Sequence, residues 1–247
     1  MTHETNGLYL VIGGTSGIGL QVAETLAQAG HEVAIAARNE SRLAQIASQL
    51  GVAATPIDAT LPDSIKAGLD NLLPAGQRLA GLVNCAGSVL LKPAHLTTDD
   101  EWHHTLHTNL SSCFYLLRES ARRMMQQGGS IVFCSTVAAA RGLPNHEAIA
   151  AAKAGVEGLT RSAAASYSRY QIRVNCVAPG LTETPLTQAI TSNEASRKFS
   201  TAMHPLGRLG QPQDVASAIT WLLSPQNSWI TGQTLHIDGG LSTVQSR

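Results

Sequence analysis

The stretch LYLVIGGTSGIGL, residues 8–20, decides the fold of this chain. Its apolar run, residues 8–12, predicts a buried parallel strand, and a helical pattern begins at Ile18. Between them lie four glycines, which permit a tight turn and a close approach of backbone to a ligand: Gly13, Gly14, Gly17 and Gly19. A strand, a glycine-rich turn and a helix form half of a nucleotide-binding βαβ unit, because the helix N-terminus directs N–H groups at a phosphate. The alternative is a tight turn with no ligand.

The composition fits one large α/β domain, which we expect to span residues 1–247. Lysine plus arginine and aspartate plus glutamate balance at 17 each, so the net charge predicts no nucleic-acid or membrane partner. No apolar run reaches transmembrane length, and the polar start of the chain has no hydrophobic signal region. The cysteines show neither paired nor zinc-like spacing, which predicts a reduced, cytoplasmic protein without a metal: Cys85, Cys113, Cys134 and Cys176.

Strand-like and helix-like segments alternate along the whole chain. This alternation predicts a single doubly wound, Rossmann-like domain with a seven-stranded parallel sheet and helices on both faces. The predicted strands are residues 8–12, 32–37, 52–57, 79–84, 130–135, 172–177 and 234–237. The predicted helices after the first are residues 40–50, 62–73, 99–127, 147–167 and 212–223. Residues 192–204 are the least apolar long segment, so we expect a mobile flap at about residues 186–204.

The glycine spacing Gly13-x-x-x-Gly17-x-Gly19 resembles that of the short-chain dehydrogenase/reductase family. Further motifs follow in that family's order and spacing, over nearly the whole chain: Asn84-Cys85-Ala86-Gly87, Asn109, Lys153, Pro179-Gly180, Thr184 and Ile230-Thr231-Gly232-Gln233 with Asp238-Gly239-Gly240. One departure stands out. The family's catalytic Tyr-x-x-x-Lys reads here as Ile149-Ala150-Ala151-Ala152-Lys153, so this chain resembles an atypical member that lacks the tyrosine.

The end of the second predicted strand indicates the cofactor. An acidic residue at this position would bond both ribose hydroxyls of NAD(H), but the chain has Ala37 followed by Arg38. Because an arginine fork can hold a 2′-phosphate, the sequence favours NADP(H) over NAD(H). A solvated surface arginine is the alternative for Arg38. The resemblance also implies that Asp58 bonds the adenine amino group and that Ala59 packs on the ring, with a simple Asx turn as the alternative for Asp58.

The resemblance implies a full set of cofactor contacts. In the family, Pro179-Gly180 would embrace the nicotinamide and Thr184 would bond its carboxamide. The implied cofactor-binding residues are Gly13, Thr15, Ser16, Gly17, Ile18, Gly19, Arg38, Asn39, Asp58, Ala59, Asn84, Ala86, Gly87, Lys153, Pro179, Gly180, Thr182 and Thr184.

The resemblance also implies the catalytic candidates. Thr136 matches the family's residue whose hydroxyl orients the substrate carbonyl, with Ser135 as a possible substitute. Asn109 and Lys153 match the family's asparagine and lysine. Ile149 takes the tyrosine position and can neither donate nor accept a proton. His146 lies seven residues before Lys153, the offset at which divergent enoyl reductases of the superfamily carry their tyrosine. A histidine there could act as general acid near neutral pH, and a surface histidine in a polar turn is the alternative.

Three functions remain open from the sequence. The first is an oxidoreductase that passes hydride between NADP(H) and a small carbonyl, alcohol or enoyl substrate, with a non-standard proton donor. The second is an NADP(H)-binding pseudoenzyme that acts as sensor, scaffold or silent subunit, and the third is a non-redox lyase or isomerase. We expect residues 89–95, 141–146 and 186–204 to form the substrate pocket. By resemblance, the helices at 99–127 and 147–167 should pair in a homodimer or homotetramer.

Overall fold

The computed structural model describes residues 7–245, and its centre is one sheet of seven parallel strands. The strands are β1 (Leu8–Ile12), β2 (Val33–Ala37), β3 (Ala53–Pro56), β4 (Leu79–Asn84), β5 (Gly129–Cys134), β6 (Ile172–Pro179) and β7 (Thr234–Ile237). Their order across the sheet is β3-β2-β1-β4-β5-β6-β7. The predicted doubly wound α/β fold is therefore confirmed.

Helices cover both faces of this sheet. They are α1 (Gly17–Gln28), α2 (Glu40–Leu50), α3 (Pro62–Leu72), α4 (Asp99–Leu106), α5 (Ser112–Met124), α6 (Glu147–Tyr167), α7 (Gln188–Thr191), α8 (Glu194–Met203) and α9 (Pro212–Leu223). Leu8, Leu10 and Ile12 of β1 belong to the core with α3, α5 and α6, whereas Tyr9 and Val11 belong to the core with α1, α2 and α9. Since successive side chains of a strand face opposite sides, burial on both sides explains why β1 is apolar at every position.

Local signals in the sequence begin and end several helices. Thr98 forms a capping box with Glu101 at the start of α4, and Pro62 occupies the first turn of α3. Gly51 ends α2 in the left-handed conformation, with φ of 66°. Each of these residues satisfies or avoids backbone groups that a helix end leaves without partners.

Several predicted boundaries were wrong. The second strand begins at Val33 rather than at residue 32, the third is shorter than expected, and the sixth extends to Pro179. The helix predicted at 99–127 contains a π-helical turn, His107–Ser111, and its regular part ends at Met124. A π turn widens the helix by one residue, a local change that hydrophobic periodicity does not reveal.

The segment expected as a flap is largely helical. Residues 186–204 contain α7 and α8, and Ser200 and His204 are buried against the rest of the domain. His204 Nδ1 donates to the Ser200 carbonyl at 2.7 Å, and the Leu181 amide donates to His204 Nε2 at 3.3 Å. The segment is thus anchored to the end of β6 through a neutral histidine. Its mobility remains a prediction.

The order of the strands determines where a ligand can bind. The chain passes outward from β1 to β2 and β3, then crosses back to β4 on the other side of β1 and continues outward to β7. This reversal opens a crevice beyond the carboxyl ends of β1 and β4, the usual ligand site of open α/β sheets. Within residues 7–245, no helix combines the length and the apolar character needed to cross a membrane.

Candidate functional site

The glycine-rich turn after β1 has the geometry that the sequence predicts. Gly13 and Gly17 have φ of 78° and 53°, which disfavour any side chain. A Cβ on Gly19 would lie 2.3 Å from the Gly13 carbonyl oxygen, so only glycine lets α1 start this close to the turn. Ser16, the N-cap of α1, makes no side-chain capping bond. The first N–H groups of α1 are therefore available to an anion.

A cleft of about 720 Å³ runs along this turn. Thirteen of the eighteen predicted cofactor residues line it: Gly13, Thr15, Ser16, Gly17, Ile18, Gly19, Arg38, Asn39, Asp58, Ala59, Ala86, Gly87 and Thr184. A Cβ on Gly17 would lie 3.2 Å from the Thr184 Cβ, so the loop after β6 closes directly over the turn. Tertiary folding thus brings together residues from five strand ends.

At one end of the cleft, polar residues follow β2 and β3. Arg38 is exposed and lines the cleft, while Asn39 also caps α2 by accepting from the Arg42 amide. Asp58 Oδ1 accepts from both the amide and the hydroxyl of Thr60, which is the Asx turn that the sequence left open. Burial raises the pKa of Asp58, but the hydrogen bonds from Thr60 and the charge of Arg38 outweigh it, so this pKa lies below its usual value.

At the other end, the cleft continues into a cavity of about 530 Å³. Six residues line both spaces: Ile18, Cys85, Ala86, Gly87, Thr184 and Leu186. The predicted catalytic residues Asn109, Thr136, His146 and Lys153 all line the cavity, as does Ile149, together with Pro179, Gly180 and Thr182 of the cofactor set. Asn84 lines neither space. Its side chain is buried, accepts from the Ala86 amide and donates to Cys113 Sγ, so it supports the turn from behind.

Lys153 and Asn109 are fixed at the cavity wall. The Lys153 ammonium donates to the Cys134 carbonyl at 2.8 Å. Asn109, inside the π turn, accepts from the Ser88 amide and donates to the Ser88 hydroxyl and the Thr105 carbonyl. A Cβ on Gly87 would lie 2.8 Å from Asn109 Oδ1 and 3.5 Å from Lys153 Nζ. The absence of a side chain at Gly87 therefore lets the loop after β4 approach Asn109 closely, beside Lys153.

Two neighbouring hydroxyls differ in availability. Ser135 Oγ lies 2.7 Å from Glu157 Oε1 and 3.2 Å from the Lys153 carbonyl, so its one proton is already committed inside the protein. Thr136 Oγ1 instead accepts from the Ala138 amide, at 3.4 Å. Its own proton remains available to an oxygen in the cavity. The geometry therefore favours Thr136 over Ser135 as the hydroxyl that could orient a carbonyl.

The position of the expected tyrosine is occupied by a buried apolar side chain. Ile149 lies in the first turn of α6 and is 4% exposed. His146 is the N-cap residue of α6, half-buried at the cavity, and its Nδ1 lies 2.7 Å from the Pro144 carbonyl. Since a carbonyl only accepts, Nδ1 carries a proton and Nε2 is the nitrogen left for other partners. His146 can thus donate from Nε2 only as the doubly protonated imidazolium.

The cavity also contains residues that the sequence analysis missed. Ser88, Cys85, Cys134 and Leu241 line it, although none lies in the three regions predicted for the pocket. Those regions do contribute, through apolar residues such as Val89, Leu143, Ile190, Phe199 and Met203. Cys85 stands inside the Asn-Cys-Ala-Gly motif, a signal that could have placed it beside the cofactor cleft. Leu241 carries no such signal, because it approaches only through the path of the chain after β7.

No group of three or more histidine, cysteine or acidic side chains that could hold a metal ion occurs between residues 7 and 245. The four cysteines, all within this range, have free thiols.

Known proteins resemble this chain over nearly its whole length. A family model described as enoyl-(acyl carrier protein) reductase matches residues 13–242. The chain is 37% identical over 238 residues to the 3-oxoacyl-[acyl-carrier-protein] reductase FabG of Salmonella typhimurium, covering 95% of this chain and 97% of that protein. It is 35% identical over 246 residues to a chloroplastic tropinone reductase homolog of Arabidopsis thaliana, covering 94% and 74%.

Solved structures agree as well. A short-chain type dehydrogenase/reductase from Mycobacterium ulcerans superposes with a TM-score of 0.92 at 34% identity, covering 96% of this chain and 90% of the other. A variant of an actinorhodin polyketide ketoreductase with NADPH gives a TM-score of 0.91 at 29% identity, covering 99% and 100%. The chain belongs to the short-chain dehydrogenase/reductase family of oxidoreductases.

Proposed function

We propose that this protein is an NADP(H)-dependent oxidoreductase that acts on an apolar, uncharged carbonyl, alcohol or enoyl substrate, without a tyrosine as proton donor. The observation that carries the proposal is the continuity of the cleft with a cavity where Thr136, Asn109 and Lys153 surround Ile149. Bound NADPH would supply a hydride from its nicotinamide ring. The chain itself would bind the cofactor, orient the substrate and donate the proton.

The choice of NADP(H) over NAD(H) rests on the end of β2. Ala37 offers no carboxylate to the ribose hydroxyls, and the exposed Arg38 lines the cleft beside it. An arginine forms strong, charge-assisted pairs with phosphate oxygens. A ketoreductase of similar structure was solved with NADPH, which supports the same preference.

The substrate class follows from the charges of the cavity. Its wall beyond the cofactor cleft is built mainly from aliphatic side chains together with Phe199, and Lys153 is the sole lysine, arginine or acidic residue among the described residues that line it. Lys153 is 7% exposed and already donates to a backbone carbonyl. An anionic substrate would therefore find no free lysine or arginine to pair with, and burial of its charge would be costly. A neutral, apolar substrate fits this wall.

His146 is the proposed proton donor. It lines the same cavity as Thr136 and Ile149, and its Nε2 remains available. Thr136 would orient the substrate oxygen, Lys153 would hold the nicotinamide ribose, and Asn109 would keep the loop after β4 in place. These roles come from the family resemblance and from the hydrogen bonds of the site.

A second function has an observation of its own. The apolar Ile149 stands where the family has its proton donor, and the cofactor residues are retained around the cleft. This combination favours an NADP(H)-binding pseudoenzyme that acts as a sensor, scaffold or silent subunit. The lyase or isomerase hypothesis has no comparable observation.

We also propose a homodimer or homotetramer in which α4, α5 and α6 pair with their copies. Trp102 and Phe114 are exposed on α4 and α5, and Ala151 and Ala154 are exposed on α6. Ala148 and Ala152, on the same helix, are buried within the chain and cannot take part. Light scattering should give an oligomer at micromolar concentration, and a monomer would contradict this part of the proposal.

Two measurements test the function. Calorimetric titration with NADPH and NADH should show tighter binding of NADPH. A panel of neutral and carboxylated ketones, aldehydes and enoyl esters should then show NADPH oxidation with neutral apolar members only. Binding of NADPH without turnover on any member would favour the pseudoenzyme, and absence of NADPH binding would contradict both functions.

A further inference from the structure

Two cysteines meet at the junction between the cofactor cleft and the cavity. Cys85 follows β4 directly, and Cys134 is the last residue of β5. Their sulfur atoms lie 3.7 Å apart. Both side chains are half-buried and line the cavity, and Cys85 lines the cleft as well. Small molecules that enter the cavity can therefore reach this dithiol.

The backbone supports a bond between the two sulfurs. Asn84 pairs with Phe133 in the parallel register of β4 and β5, so Cys85 and Cys134 are the next residues along the same pair of strands. Neighbouring strands lie about 4.8 Å apart, within the range of Cα distances of about 4.4–6.8 Å found for disulfides. The sulfurs need to approach by roughly 1.7 Å to reach a bond length of about 2.05 Å.

The other two cysteines lack these features. Cys113 and Cys176 are fully buried. Cys113 Sγ accepts from Asn84 and donates to the Asn109 carbonyl, and Cys176 Sγ contacts the Val177 carbonyl. Neither has another sulfur as a hydrogen-bond partner in residues 7–245. The chain thus contains one dithiol and two internal controls.

The thiols of the pair also differ in acidity. Their mutual hydrogen bond, with burial adding to it, raises the pKa of Cys85 well above the usual thiol value. The same hydrogen bond, with help from the charge of Lys153, lowers the pKa of Cys134. Cys134 would therefore be the first thiol to lose its proton and to react.

We infer that Cys85 and Cys134 form a reversible disulfide whose formation and the binding of NADP(H) exclude each other. The second half of this inference rests on the proposed function. Closing the bond would draw the end of β5, whose Cys134 carbonyl holds Lys153, towards Cys85. Cys85 in turn packs on the start of α1, where a Cβ on Gly19 would lie 3.2 Å from the Cys85 Cβ. The bond would thus disturb the cleft wall at Cys85 and the start of α1, and the adjoining cavity wall at Lys153.

The oxidant is a peroxide. The Cys134 thiolate attacks one peroxide oxygen, the O–O bond breaks, and hydroxide leaves, which gives a sulfenic acid on Cys134. Cys85 then attacks the Cys134 sulfur, the S–O bond breaks, and the hydroxyl leaves as water with the thiol proton. In sum, two thiols and one hydrogen peroxide give one disulfide and two waters. A small-molecule dithiol such as dithiothreitol would reverse the bond by exchange.

Peptide mapping without reduction tests the inference. The reduced protein is treated with hydrogen peroxide, with and without saturating NADPH, and remaining thiols are alkylated. We expect a Cys85–Cys134 linked peptide that has lost two hydrogen atoms, formed at least tenfold more slowly with NADPH. Oxidised protein should bind NADPH at least tenfold more weakly, and dithiothreitol should restore the affinity. Cys85→Ser and Cys134→Ser should abolish this response to peroxide, and Cys176→Ala should retain it.

The possible failures are distinguishable. Reduced protein that binds NADPH but yields no Cys85–Cys134 peptide would overturn the disulfide. A linked peptide that forms equally fast with NADPH would overturn the exclusion. Reduced protein that does not bind NADPH would overturn the proposed function and, with it, the coupling to the cofactor. The mapping of the wild-type protein gives its answer even if a serine variant does not fold.

Discussion

The cofactor cleft and the adjoining cavity are built from different parts of the polypeptide. The cleft is built by backbone: glycines, strand ends and a helix N-terminus, at positions where a Cβ would collide with neighbouring atoms. The cavity is built by side chains, most of them apolar, from segments far apart in the chain. Thirteen of the eighteen predicted cofactor residues line the cleft, whereas the cavity contains the apolar Ile149 at the position predicted for the proton donor. The backbone-built cleft and the side-chain-built cavity can therefore be tested separately by substitution.

The largest expected effect tests the backbone side of this comparison. In Gly19→Ala, the new Cβ would lie 2.3 Å from the Gly13 carbonyl oxygen, so the turn or α1 must shift. We expect NADPH affinity to fall by roughly 100-fold, equivalent to about 3 kcal/mol. Calorimetry measures this loss. Gly158→Ala in α6, where a Cβ meets nothing closer than 4.0 Å, is the matched control and should bind normally.

The next effect concerns the proton donor in the cavity. His146→Ala should lower turnover by about 100-fold or more, the range of a positioned general acid, and leave NADPH affinity unchanged. Because Nδ1 of His146 already donates its proton to the Pro144 carbonyl, only the doubly protonated ring can donate a proton from Nε2. His103→Ala, an exposed residue on α4, is the control; unchanged turnover in His146→Ala would remove His146 from the mechanism.

A smaller effect should come from restoring the lost group. Ile149→Tyr places a phenol among Thr136, Asn109 and Lys153, and we expect NADPH-dependent carbonyl reduction to rise at least about tenfold, the lower part of what a general acid supplies. Ile149→Phe adds the same ring without the hydroxyl and should show no gain. Steady-state rates on the substrate panel make the comparison. Equal rates for the two variants would mean that the cavity does not position the phenol.

The smallest expected effect concerns cofactor choice. In Arg38→Ala, NADPH affinity should fall by roughly tenfold, since Arg38 is exposed and a hydrogen bond to a charged group contributes about 1.5 kcal/mol at the low end. NADH affinity should stay nearly constant, because NADH has no 2′-phosphate. The control is Arg169→Ala. In the wild-type protein the Arg169 guanidinium lies over the Tyr170 ring. An equal loss of affinity for NADPH and for NADH would show that Arg38 affects the shape of the cleft instead.

The sequence predicted much of the fold because its signals are local. The apolar run of β1 and the glycines of the turn each act within a few residues, and the structure confirms them. Thr98 at α4 and Gly51 after α2 act over the same short range. The π turn around Asn109 escaped prediction because apolar spacing on either side of it stays helical. The helices in residues 186–204 were not predicted because the segment has few buried apolar positions. In α8 only Ser200 is buried.

The sequence by itself determined the sheet, the glycine-rich turn and the candidates Thr136, Asn109, Lys153 and Ile149, because fixed spacing along the chain carries them. Tertiary structure alone decided the rest. It committed the Ser135 proton to the interior, turned Asn84 away from the cleft, directed the Nδ1 proton of His146 to a backbone carbonyl, and set two distant cysteines side by side. Hydrogen-bond availability and cross-strand neighbours depend on three-dimensional proximity, which no spacing in one sequence encodes.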